Sequence, residues 1–345
     1  MDFLRPQFLA SIEPFIEDGV VRIGRFAYTA ADILSFAGDD AYQQALGDWI
    51  WEEWVPFRQE RANEILEFGS NSRRFAELKT IIESGGAIPF VGSGMSVPTG
   101  MPTWGAFLRE TCARARGLTV ADLETCLAAG EYEEAASRIL DGMPPRLFNE
   151  CFESNFTIQP TQSIEGAVRL LPFLFESIAI TTNFDPILEE VYKSMDKAFQ
   201  EILHGTAVSE FRRKHLNGTR CLLKLHGKHD ASQGRVLLKE EYDEFYQPES
   251  NGREELSLIF RRGGLFFLGC SLYQDRTMDL LKEIADADRN MPRHFALLSS
   301  HCEENLVDRE HFLTARNIFP IWYDGDHSTD VEALLVALMH DLDKL

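Results

Sequence analysis

The sequence has no Cys-x-x-Cys pair. Its six cysteines, Cys112, Cys126, Cys151, Cys221, Cys270 and Cys302, are scattered over 345 residues. That spacing argues against a zinc ribbon and against a disulfide framework, so no zinc is expected and a reducing, cytoplasmic setting fits best. Long apolar runs are missing too. The most apolar stretch, Leu170 to Ile180, is interrupted by Pro172 and Glu176, whereas a membrane span needs about 20 apolar residues. No membrane partner is expected. The opening Met-Asp-Phe-Leu-Arg-Pro lacks a basic segment followed by an apolar one, so no secretion signal is read there. Positive charge is scarce, with 34 Lys and Arg against 55 Asp and Glu, a formal net charge of −21. Such a surface repels nucleic acid, and none is expected as a partner of this chain alone. Arg212-Arg213-Lys214-His215 is the one compact basic cluster near mid-chain, and a solvated loop or helix end explains it. Anionic small molecules are not excluded, because backbone N–H groups supply local positive potential even in an acidic protein.

What is present is the make-up of a folded chain, 44% hydrophobic and 26% charged. Residues 1–70 read as an N-terminal helical segment, with Tyr42, Leu46, Trp49 and Ile50 at helical spacing. Its aromatic stripe reads as packing surface or as an oligomer contact. Asn71 or Ser72 can cap the next helix, which carries Phe75, Leu78, Ile81 and Ile82 on one face and ends at Gly85-Gly86. Short apolar runs then recur at 87–91, 177–181, 221–225, 265–268, 295–298 and 319–323. Most lack strict alternation, as strands buried on both faces should, and helical segments separate most of them. The pattern predicts an α/β fold: a Rossmann-like, doubly wound, mostly parallel sheet over residues 71–345, with a helical insertion at about 103–170.

In such a sheet, ligands bind beyond the carboxyl ends of the strands, and four places there carry chemistry. Gly92-Ser93-Gly94-Met95-Ser96 follows the first strand of the sheet. Two glycines let backbone approach a pyrophosphate, although a glycine pair also serves as a plain turn and Val97 stands where a full G-x-G-x-x-G has its third glycine. Thr181-Thr182-Asn183-Phe184-Asp185-Pro186 follows the second. Asp185 and Pro186 suit the N-cap and first position of a helix over 187–192, which leaves Asn183 unexplained. Lys224-Leu225-His226-Gly227 ends the third run with a histidine suited either to a base or to a structural role. Gly269-Cys270-Ser271 leads into a helix over 272–287, where Ser271 and Gln274 can form a capping box and the same helix start can hold a phosphate or ribose hydroxyl.

Taken together and in this order, the motifs resemble the sirtuin (Sir2-like) catalytic domain from about Asn71 onward. Gly92-Ser93-Gly94-Met95-Ser96 is similar to its G-A-G-x-S, Thr181 to Asp185 to its T-Q-N-x-D, Leu225-His226-Gly227 to its L-H-G, and Gly269-Cys270-Ser271 to its later G-x-S. The resemblance implies that Gly92, Ser93, Gly94 and Ser96 hold the NAD pyrophosphate and adjacent ribose. Asn183 would orient the nicotinamide ribose and a water, Asp185 would lie near the nicotinamide carboxamide, His226 would be the general base, and Gly269 and Ser271 would contact the adenosine side. There are departures. Ser93 replaces the family's alanine and Thr182 its glutamine. Gly100-Met101-Pro102-Thr103-Trp104 lacks the Asp-Phe-Arg of deacetylases, and the zinc-binding cysteine pairs are gone. The pattern resembles the bacterial sirtuin-like proteins of antiphage defence that deplete NAD, and among them the stand-alone members that assemble with a HerA-type ATPase. The expectations are therefore an NAD glycohydrolase with NAD as substrate, a homo-oligomer and a HerA-type ATPase partner. The alternative is a non-catalytic NAD or ADP-ribose sensor or scaffold, and protein deacylation ranks below both.

Overall fold

The computed structural model describes residues 1–12, 20–23, 25–273, 276–301 and 305–345. The chain divides into two compact units, Met1–Asn63 and Glu64–Leu345. In the first, the helices Arg5–Ile12, Ala30–Ala37 and Asp39–Trp49 accompany a small antiparallel hairpin of β1 (Val21–Ile23) and β2 (Phe26–Tyr28). The stripe read from the sequence is a packing face. Leu46 and Ile50 are buried, and the rings of Tyr42 and Trp49 lie 5.8 and 5.7 Å from that of Phe8. The hairpin was not expected, because two three-residue strands leave too short a pattern to detect.

The second unit is built on seven strands: β3 (Ala87–Val91), β4 (Ile178–Thr181), β5 (Glu201–Leu203), β6 (Cys221–Lys224), β7 (Gly264–Leu268), β8 (His294–Ser299) and β9 (Ile318–Tyr323). They form one sheet in the order β5-β6-β4-β3-β7-β8-β9, and every pair is parallel. β4, β6 and β7 are buried at every position, so neither face needs polar residues and the alternation typical of half-exposed strands is lost. The expected α/β, doubly wound parallel sheet is present. β5 alone was missed, since its three residues at the sheet edge begin with a glutamate.

From the central β3 the chain passes to β4 beside it and to β5 at the edge, fills the gap between them with β6, then crosses to β7 on β3's other side. The switch point lies between β3 and β7, the place where ligands bind in sheets of this kind. Between β3 and β4 stand four helices of nine or more residues, Trp104–Cys112, Val120–Ala128, Tyr132–Asp141 and Pro145–Phe156, and one short turn of α-helix at Leu171–Leu174. The shared core of the four holds Phe107, Phe148, Phe152 and Phe156, and Phe184 and Leu237 from the sheet's carboxyl edge are buried in it.

Two local expectations need correction. The helix Asn71–Glu83 has Ser70 at its N-cap with no side-chain bond. Asn71 instead turns to the edge strand: its Nδ2 donates to the Trp322 and Ile65 carbonyls and its Oδ1 accepts from the Trp322 N–H. A fully buried carboxamide that pairs with a strand edge satisfies more groups than a cap would. The helix after β7 begins at Arg276 rather than Leu272, and Gln274 of the expected capping box lies outside the described residues.

Candidate active site

The loops after β3 and β7 are packed directly on each other. The Gly92 N–H donates to the Leu268 carbonyl at 2.8 Å and the Gly94 N–H to the Gly269 carbonyl at 2.9 Å. A Cβ on Gly92 would sit 2.5 Å from the Gly269 oxygen, and one on Gly269, whose φ is +65°, would sit 2.5 Å from the Met95 nitrogen. These glycines are required by backbone contact whether or not a ligand approaches. Of the five N–H groups from Gly92 to Ser96, four are engaged within the protein, since Met95 and Ser96 bond back to the Gly92 and Ser93 carbonyls.

β4 delivers the second group. The Thr181 hydroxyl donates to the Val91 carbonyl and accepts from the Asn183 N–H, which fixes the backbone as it leaves the strand. Buried Asn183 then reaches across the switch point, and its Nδ2 donates to the Gly92 carbonyl at 3.0 Å and to Ser96 Oγ at 3.1 Å. Ser96 also lies close enough to the Asp185 carboxyl to favour its ionised form. Burial pushes that carboxyl above its ordinary range, while Lys224, the Ile187 N–H and Ser96 oppose the shift. The helix Ile187–Ser194 has Pro186, not Asp185, at its N-cap, yet Asp185 Oδ1 still accepts the Ile187 N–H at 3.1 Å. Lys224, at the end of β6 and fully buried, donates to the Asp185 carbonyl at 2.6 Å and to Glu189 Oε1 at 2.8 Å.

His226 is the second residue after β6. Its ring lies against Phe184 and Tyr242, with centroids 6.3 and 5.1 Å away, and the Tyr242 hydroxyl is 3.3 Å from Nδ1. The residue is half-buried, but its Nε2 is sealed from solvent and has no hydrogen-bond partner. Desolvation pulls the imidazole down to about 4, so it is neutral at pH 7.

The structure thus joins Gly92, Ser96 and Asn183 by hydrogen bonds with the Asp185 carboxyl close to Ser96, stacks Gly92 and Gly94 on Gly269, and sets His226 beside Phe184, the residue between Asn183 and Asp185. Ser93 is half-buried and makes no side-chain bond among the described residues. Ser271 is exposed; its carbonyl is held by Arg309, and no hydrogen bond joins it to the glycine loop among the described residues. Cavities of about 290 and 490 Å³, bordered by Trp322 and Asp324 and by Arg262 and Pro292, lie elsewhere on the unit. Sequence reasoning missed Tyr242 at His226, the Lys224–Glu189 pair under Asp185, and His327. The His327 ring sits against Gly94, where an added Cβ would meet its Nε2 at 3.1 Å, and its Nδ1 lies 2.5 Å from the Tyr323 hydroxyl. None carries a local signal, because each meets the site only through tertiary contact.

Residues 177–321 match the SIR2-like domain, a span that contains Asn183, Asp185, His226, Gly269 and Ser271 and begins after the first glycine loop. The chain is 26% identical over 246 residues to the NAD(+) hydrolase ThsA of Enterococcus faecium, in a match covering 70% of this chain and 48% of that one. The chain therefore spans about half the length of the curated relative it matches. A solved chain from a study of the mechanism and regulation of Sir2 enzymes overlays at a TM-score of 0.41 and 16% identity, over 78% of this chain and 98% of that one.

Proposed function

We propose that this chain is an NAD glycohydrolase that cleaves NAD to nicotinamide and ADP-ribose, and that it acts in the cytoplasm as an antiphage effector by depleting NAD. The observation that carries the reading is buried Asn183 at the carboxyl ends of the strands, its carboxamide tied to the Gly92 carbonyl and to Ser96 Oγ of the glycine loop. Both N–H groups of the Asn183 carboxamide are engaged, so its Oδ1 faces the chemistry as an acceptor only. That oxygen suits the hydroxyl of a ribose or the O–H of a water. Likeness to an NAD(+) hydrolase supports the same substrate.

In the reaction, the C1′–nitrogen bond breaks and its electron pair returns to the pyridine nitrogen, which leaves an oxocarbenium-like ribose. Water adds to C1′, and its proton passes to His226, directly or through a ribose hydroxyl, and then to solvent. Nicotinamide, cationic while attached, is already a good leaving group. The protein's task is to position the ribose and one water. Neutral His226 holds the unprotonated nitrogen that this role needs. Gly92, Ser93, Gly94, Ser96, Asp185, Gly269 and Ser271 are assigned to NAD binding, with a homo-oligomer and an ATPase of the HerA type as the assembly.

The test is release of nicotinamide from NAD by the purified chain. Asn183→Ala and His226→Ala should each lower the rate by about 10²–10⁴-fold with the fold retained; full activity in both variants removes the assignment. One observation favours a second reading, a sensor that binds NAD or ADP-ribose without cleaving it: an imidazole pulled down to about 4 is a weak base. That reading predicts nucleotide binding with no nicotinamide released.

A further inference from the structure

A dinucleotide brings two negative charges to a chain whose own formal charge is −21. The glycine loop is poorly equipped to receive them, because four of its five N–H groups from Gly92 to Ser96 are already engaged. A cationic donor on the same edge is needed, and one is buried there.

Arg235 is 6% exposed. The loop from His226 folds back so that the Val236 N–H donates to the His226 carbonyl at 3.0 Å, and a Cβ on Gly227 would meet Arg235 Cα at 2.9 Å. The guanidinium lies 4.8 Å over the Phe152 ring, and Nη2 donates to Asn149 Oδ1 at 2.6 Å. Nη1 is sealed from solvent and has no partner. Phe152 touches Phe184 at 4.9 Å between centroids, and Phe184 is the ring against His226, so guanidinium and imidazole flank one aromatic cluster. His226 Nε2 is likewise buried and unpartnered.

Among the described residues Arg235 makes no ion pair. Glu241 is near enough to act on it, but its carboxylate already accepts the Leu237 and Leu238 N–H groups, and Glu153 is exposed. A buried guanidinium held by one carboxamide oxygen and an aromatic face carries an uncompensated desolvation cost, and burial pulls its pKa below the ordinary value. An anionic ligand oxygen would remove that cost.

We propose that Arg235 binds a phosphate oxygen of the dinucleotide through its open Nη1–H, an assignment that rests on the NAD reading above. A phosphate is the consistent partner, because a guanidinium at the reacting carbon would oppose the positive charge that develops there. Arg235 thereby fixes the nicotinamide-side half of the substrate while Asn183 and His226 attend to the ribose.

The experiment measures the affinity of ADP-ribose, which keeps both phosphates, by titration calorimetry, together with KM and kcat for NAD, in wild type, Arg235→Met and Arg235→Lys. Loss of a charge-assisted hydrogen bond should weaken ADP-ribose binding and raise KM by on the order of 10- to 100-fold in Arg235→Met, with kcat changed by less than about threefold. Arg235→Lys keeps the charge and should fall between the two. A folded Arg235→Met protein that binds ADP-ribose within about twofold of wild type overturns the assignment, as does a wild type that does not bind it. If wild type binds ADP-ribose but releases no nicotinamide, hydrolysis fails, and the ADP-ribose affinities of the variants still decide the phosphate contact.

Discussion

The Asn183 carboxamide donates both of its N–H groups inside the protein, to the Gly92 carbonyl and to Ser96 Oγ, so a ligand meets only its oxygen. His226 is the opposite case, a ring with one nitrogen beside the Tyr242 hydroxyl and the other sealed and unpartnered. A base must be unprotonated to act, and desolvation pulls this imidazole down to about 4. The acid limb of kcat/KM for NAD should accordingly lie near pH 4, well below the 6.5 of an ordinary histidine, with a plateau through neutrality. A steady-state pH profile measures it; a limb centred at 6.5 would mean that the imidazole is solvated in the working enzyme. Asn183 and His226 were legible as residue types at the right places. Their partners were not, because Ser96 and Tyr242 lie 87 and 16 residues away along the chain.

Among the elements, the loops after β3 and β7 tolerate little change. Gly92 and Gly269 approach until an added Cβ meets backbone rather than a flexible side chain. Gly92→Ala should therefore destabilise the second unit by about 1–3 kcal/mol, read as a fall in melting temperature, and should weaken nucleotide binding because Asn183 takes the Gly92 carbonyl as its partner. Unchanged stability would show that the two loops can separate at little cost. The sequence marked these glycines as candidate ligand contacts; the fold adds that they hold each other. Likewise Phe184 looked like a spacer between Asn183 and Asp185, whereas its ring is buried in the core of the four helices that follow β3 and so ties those helices to the site.

At the scale of the whole molecule, buried histidines set the response to acid. His226 is pulled down to about 4 and His294, fully buried at the start of β8, to about 3, both by desolvation; His204, His215 and His327 shift the same way for the same reason. The unfolded chain protonates these rings near 6.5 and the folded chain resists, so the unfolded state binds more protons between those values. Stability is then full above about pH 6.5 and falls as pH drops, by up to about 1.4 kcal/mol per pH unit for each fully buried ring. Asp185, raised by burial, works in the other direction over a window that opens upward from its ordinary 3.8, so this one carboxyl offsets part of the effect of the several histidines. Melting temperature should decline steadily from pH 6.5 to 4.5, and a flat profile there would count against neutral burial of these rings.

The sequence by itself determined the sheet. Six of its seven strands stand out as short apolar runs, because a parallel strand covered on both faces must be apolar throughout and its ends must carry turn residues. It also placed Gly92, Asn183, His226 and Gly269 just after those strands, since the chain's local pattern says where a strand ends. What lies across the carboxyl edge was decided only by tertiary structure: the bonds of Asn183 to Gly92 and Ser96, the Tyr242 contact, the His327 ring at Gly94 and the buried guanidinium of Arg235. Each of these joins residues from separate elements, and hydrogen bonding between distant parts of a chain leaves no periodicity in the sequence.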